Sequence, residues 1–205
     1  MDYKEKYLKS RLTDLANSFK AIANISAYTT KINNYKIVKK QYDELKNIAD
    51  EANLLVKEFC SEEICEKINN GEVDDLPEYL QPMKTIDTYK KILAFKYSSM
   101  YVSKKEETFA INKMSIDFDS SSELPLLNIL GTLYGDKKYA EVLKLGTLWL
   151  EYYDNVTIIE YIARAYKNLG EKGKAIDYFR KYLAKYDEDV YIQKDLNKLY
   201  KECFK

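Results

Sequence analysis

A chain of 205 residues with 46% apolar and 32% charged residues is long enough to bury a core without disulfides or metal. Six glycines and three prolines are too few for the turns of a many-stranded sheet, so helices are expected. Net charge is zero, spread as +3 over 1–60, −6 over 61–82, +4 over 83–113, −4 over 114–155 and +3 over 156–205; with no strongly basic block nucleic acid is disfavoured as a partner, and the alternation suits protein complementarity.

The opening MDYKEKYLKSR is charged and lacks the apolar core of a signal peptide, and no later stretch approaches a membrane span. A cytoplasmic protein without a membrane partner is expected. Leu8, Leu12, Leu15, Phe19 and Ile22 recur at alternating spacings of four and three, which predicts a helix from about residue 3 into the mid-twenties. Val38, Tyr42, Leu45, Ala49, Ala52, Val56 and Phe59 predict a second helix over 35–60. Between them SAYTTKINN carries side chains that compete for backbone hydrogen bonds, so an antiparallel pair follows. The two apolar faces are expected to pack within the chain, with a homodimeric coiled coil as the competing arrangement.

Ser61 before Glu62 and Glu63 predicts an N-cap and a short helix ending at Asn69-Asn70-Gly71. EVDDLPEYLQP reads as a connector with one helical turn at most, and Ile86, Tyr89, Leu93, Tyr97 and Met100 as the stripe of another helix. In 102–121 Met114, Ile116 and Phe118 alternate with Ser115, Asp117 and Asp119. A period of two predicts a small extended or β-hairpin segment near 102–120 after the polar KKEE turn. The expected organisation is an N-terminal helical region at 1–101, a linker at 102–122 and a repeat region at 123–205.

Repetition dominates that last region. In VTIIEYIARAYKNLGEKGKAIDYFRKYLAKYDED, residues 156–189, one helix ends near Leu169-Gly170 and another begins near Lys172. About 33 residues earlier, LPLLNILGTLYGDKKYAEVLKLGTLWLEYYDN has Leu126, Ile129, Leu130 and Leu133 on its first helix and Val142, Gly146, Trp149 and Leu150 on its second. Ile159, Ile162, Ala163, Tyr166, Gly170, Ala175, Phe179 and Leu183 stand at the spacings of a tetratricopeptide repeat (TPR), and the C-terminal part resembles that family. Tyr182 stands where the family usually has Ala, Asp187 where it often has Pro, and Gly146 where it usually has an aromatic residue. Residues 190–203, with Tyr191, Leu196, Leu199 and Tyr200, read as the closing helix.

The resemblance implies an all-α fold of antiparallel helical hairpins stacked as a short right-handed superhelix, with the N-terminal helices expected to stack on the first repeat. Its groove would be lined by the first helix of each repeat. Groove positions would be Leu127, Asn128, Gly131 and Tyr134, then Thr157, Glu160, Tyr161, Arg164, Lys167 and Asn168, then Tyr191, Lys194 and Lys198. Asn128, Tyr134, Tyr161, Arg164, Lys167, Asn168, Lys194 and Lys198 are the candidate partner-binding residues, suited to an extended backbone and an acidic group. Some family members clamp a C-terminal carboxylate this way. Asn128 and Arg164 match that clamp in kind, while Glu160 places an acid where it has Lys; a solvated helix face is the competing reading.

Catalysis finds little support. The chain has no histidine, which removes the commonest general base and zinc ligand and every Ser-His or Cys-His pair, and it has no GxGxxG, phosphate loop, nucleophile elbow or HExxH. Cys60, Cys65 and Cys203 read as reduced thiols. Taken as one helix, the first two fall on different faces without the further ligands zinc needs. Asp117, Asp119 and Glu123 in DFDSSSE lack the spacing and glycine of a calcium loop, and serine capping of a helix near Leu124-Pro125 explains them. The expected function is a non-enzymatic adaptor or scaffold, without cofactor or metal, that holds a protein or peptide. A peptide-responsive sensor and a homo-oligomer assembled through the N-terminal helices are the alternatives.

Overall fold

A computed structural model describes residues 1–29, 34–100, 102 and 104–203. The fold is all-α: α1 (Tyr3–Thr29), α2 (Tyr35–Phe59), α3 (Glu62–Asn69), α4 (Gln81–Ser98), α5 (Lys105–Phe118), α6 (Glu123–Gly135), α7 (Tyr139–Leu150), α8 (Val156–Asn168), α9 (Lys172–Leu183) and α10 (Val190–Cys203), with a 3-10 turn at Glu78–Leu80. No strand occurs among the described residues. The chain divides into two compact units, Met1–Ser122 and Glu123–Lys205.

In the first unit α1 packs against α2 and α4, and α4 against α5. Leu8, Leu12, Ala16, Phe19 and Ala23 of α1 and Val38, Tyr42, Leu45, Ala49, Ala52 and Val56 of α2 are all buried. Large residues fill this seam and alanines let the backbones approach. Both heptad-like faces are therefore covered by the chain's own core. Asn34 caps α2 by accepting from the Ile37 N–H at 3.3 Å, while residues 30–33 of the expected linker lie outside the described residues. Gly71 ends α3 in the left-handed region (φ 76°), the conformation that favours glycine there. Ser61 holds the N-cap position of α3, but its hydroxyl makes no capping bond.

The extended or β-hairpin segment expected near 102–120 is instead α5. The buried residues of α5 are Ile111, Asn112, Met114, Ser115 and Phe118, spaced as one face of a helix. In the period-of-two reading Ser115 looked like a solvent position because it is polar. Ser115 is buried because its hydroxyl donates to the Ala94 carbonyl at 2.6 Å, and the Asn112 amide donates to the Thr108 carbonyl at 2.9 Å, so both satisfy their polar groups inside. Phe118 then meets Phe19 at 6.3 Å, Tyr42 at 5.1 Å and Tyr97 at 5.9 Å between ring centroids. That contact set joins α5 to α1, α2 and α4.

In the second unit, Glu123 and Val156 each open a helix of 13 residues, and Tyr139 and Lys172 each open one of 12, a displacement of 33 positions in both cases. The turns repeat with the same displacement. Lys138 N–H donates to the Leu133 carbonyl at 2.9 Å and Glu171 N–H to the Tyr166 carbonyl at 3.0 Å, and Lys137 (φ 60°) and Gly170 (φ 80°) hold the same left-handed position. Each helix packs against its successor, and α6 also packs against α8.

The two pairs differ where α7 meets α8. An added Cβ on Gly146 would lie 2.9 Å from Ile162 Cγ1, 3.3 Å from Ile162 Cδ1 and 3.8 Å from Leu130 Cδ2, so absence of a side chain at 146 makes room for Ile162. The corresponding position one repeat later is Phe179, fully buried. Overpacking of this kind costs about 1–3 kcal/mol, and helix propensity returns about 1 kcal/mol when glycine becomes alanine. Gly146→Ala should lower the urea denaturation midpoint slightly and Gly146→Val markedly, with Ile162→Ala recovering part of the loss in the valine background. Unchanged midpoints in both single variants would contradict this close approach.

Candidate partner-binding face

The partner-binding candidates lie on α6, α8 and α10. Helix α8 buries Ile158, Ile159, Ile162, Ala163 and Ala165, and its other side carries Thr157, Glu160, Tyr161, Arg164 and Lys167, all half-exposed. Leu127, Asn128, Gly131 and Tyr134 of α6 are half-exposed as well, whereas Asn168, Tyr191, Lys194 and Lys198 are open to solvent.

Five candidates form a connected patch. The Tyr134 ring lies 5.8 Å from that of Tyr161 and 5.4 Å from that of Tyr139, and its hydroxyl accepts from the Asn168 amide at 3.0 Å. A Cβ on Gly131 would stand 2.9 Å from the Tyr161 hydroxyl, so glycine there leaves the hydroxyl its place. Burial, then the charge of Glu160, raises the Tyr161 phenol, and Arg164 partly counters this. Arg164 Nε donates to Glu160 at 2.7 Å and its Nη1 to Asp195 at 3.4 Å, and Lys167 Nζ donates to Asp195 at 2.7 Å.

Asp195 pairs with both bases and Glu160 with Arg164, so two acids balance two bases and the patch carries no net charge. Tyr191, Asp195 and Lys198 follow one another at helical spacings on α10, so the sequence pattern carries Asp195 beside the expected positions. Lys194 instead lies 5.9 Å over the Tyr191 ring, and Lys198 sits near Glu202, whose carboxyl is held down first by Lys172 and to a lesser degree by Lys198. Asn128 is half-exposed on α6, and its backbone carbonyl accepts from the Thr132 hydroxyl at 2.9 Å.

Asp117, Asp119 and Glu123 each hold a different partner. Asp117 accepts from the Tyr42 hydroxyl and lies 3.5 Å from Lys46 Nζ, Asp119 accepts from the backbone and hydroxyl of Ser121, and Glu123 accepts from the Asn155 amide. The three carboxylates thus serve three different structural bonds. No group of three metal-ligating side chains converges among the described residues, and no described helix is long and apolar enough to cross a membrane. A polar cavity of about 280 Å³ in the first unit is lined by Lys90, Lys91, Asp87 and the C-terminal residues of α3 and α5. Burial lowers the Lys90 ammonium, Lys91 pairs with Asp87 at 2.8 Å, and both cations complement the negative ends of the two helices.

No protein-family model matches the chain, and the search of curated proteins finds no match. The face therefore stands on its own geometry.

The orientation of α10 depends on Asp189, which accepts from the Tyr191 and Ile192 N–H groups at 3.0 Å each and from the Tyr182 hydroxyl at 3.0 Å. Burial, then the bond to Asp189, pushes the Tyr182 phenol up to about 12. The Ile192 backbone bond first, and Tyr182 and Tyr191 after it, hold the Asp189 carboxyl below its ordinary range. A carboxyl lowered by folding stabilises the fold fully above its unfolded pKa, and that stabilisation fades as pH falls through the folded value. Asn keeps the capping acceptor without the titration. Between about pH 5 and about pH 3, the melting temperature of the natural chain should fall more steeply than that of Asp189→Asn; parallel curves would contradict the role given to this cap.

Proposed function

We propose that the C-terminal unit is a TPR-like array of two helix pairs closed by α10, wound as a short right-handed superhelix, and that the chain is an adaptor or scaffold. Its first helices hold a peptide or helix of another protein. The observation that carries this reading is the repeat of helix lengths, turn bonds and left-handed turn residues at a displacement of 33 positions. The half-exposure of the register positions on α6 and α8 supports the choice of face.

Recognition rests on shape, rings and amides more than on net charge. Tyr134 and Tyr161 offer rigid aromatic surface of the sort that dominates binding energy, and the Asn168 amide, which donates to Tyr134 and to the Arg164 carbonyl, keeps its oxygen for a partner backbone N–H. Arg164 and Lys167 receive an acidic group only by exchange with Asp195, which favours discrimination over raw affinity. A homo-oligomer through the N-terminal stripes is disfavoured, since Leu8, Leu12, Leu45 and Val56 are buried in their own unit.

Affinity capture from the source cells with the full chain, quantified by mass spectrometry, tests this. Proteins retained by the natural chain should drop at least about tenfold with Tyr161→Ala, the loss expected of an aromatic anchor. They should persist with Asp177→Lys on the exposed side of α9. Circular dichroism checks that both variants stay helical. Equal retention, or equal loss with both, would contradict the choice of face.

A further inference from the structure

The two cysteines of the first unit do not share a helix. Cys60 follows the last residue of α2, its N–H bound to the Val56 carbonyl at 2.9 Å. Ser61 is the N-cap of α3, and Cys65 is the fourth helical residue, its N–H bound to the Ser61 carbonyl at 3.1 Å. The residue before an N-cap and the fourth residue of the helix pack on each other in the hydrophobic staple, and Cys60 and Cys65 hold those two positions. Two observations agree with that placement. Both thiols are half-buried against the same core, and both line one cavity of about 450 Å³ between α2 and α3, beside Lys57 and Glu66. They also lie within electrostatic reach: burial first, then the charge of Cys65, pushes the Cys60 thiol up.

We propose that Cys60 and Cys65 are a modification site, a thiol pair that closes to an intrachain disulfide by exchange with small-molecule disulfides of the glutathione type. One cysteine, having lost its proton to solvent, attacks a sulfur of the reagent, releases one thiolate and becomes a mixed disulfide. The other then loses its proton and attacks the sulfur of the first, releasing the second thiolate. Two cysteines are oxidised to one disulfide, one reagent disulfide is reduced to two thiols, and the two protons leave with those thiols. Closure ties α3 to the end of α2, and α3 lends Ile68 and Asn69 to this cavity and to the polar cavity beside Lys90.

The test uses the full chain carrying Cys203→Ser, which removes the exposed third thiol and with it linkage between chains. The protein is equilibrated in buffers of reduced and oxidised glutathione, once folded and once in urea, and the Cys60–Cys65 linked peptide is quantified by mass spectrometry. Because the staple holds the thiols together before reaction, the closing constant should be at least about tenfold larger in the folded chain than in the unfolded one. An equal or smaller constant would overturn the proposal. So would accumulation of a mixed disulfide on either cysteine without closure in the folded chain.

Discussion

The close passage of α8 beneath Gly146 is the constraint on which the second unit depends. Ile162 occupies the space a side chain at 146 would fill, which lets α8 pack against α6, α7 and α9. Helix α8 is left with one side for solvent, and that side holds Glu160, Tyr161, Arg164 and Lys167. The candidate face is thus a consequence of packing. Had an aromatic residue stood at 146, as Phe179 stands in the next pair, α7 and α8 would need a wider separation.

The first unit is organised differently. Four helices converge on Phe118, and their buried polar groups are tied down by bonds such as that between Ser26 and the Tyr97 hydroxyl at 3.0 Å. Buried hydrogen bonds of this type fix one arrangement of an aromatic core. The apolar stripes of α1 and α2 are buried in this core.

The N-terminal stripes were legible because each face is built from large apolar residues at helical spacing, and such faces have one solution in water. The repeat was legible for a related reason: apolar and small residues recur together, and Gly146 marked the close contact before any coordinates. The extended reading of α5 failed because Ser115 is polar by type yet buried through a bond to the Ala94 carbonyl; sequence pattern counts side-chain polarity and is blind to such satisfaction. The positions on the candidate face were legible from the repeat register. Its neutrality was not, because Asp195 reaches Arg164 and Lys167 across 31 and 28 positions of sequence. Similarly, the proximity of Cys60 and Cys65 depends on a cap between two helices, which a continuous helix drawn through both residues conceals.

In the proposed role, an aromatic and internally neutral face receives a partner by shape and backbone bonding, with Asp195 setting the threshold for acidic groups. Amide hydrogen exchange of the chain, free and bound to a captured partner, tests that claim most directly. Slowed exchange should be confined to α6, α8 and α10, with α7, α9 and the Met1–Ser122 unit unchanged. Slowing centred on α7 and α9, or on the first unit, would contradict the account.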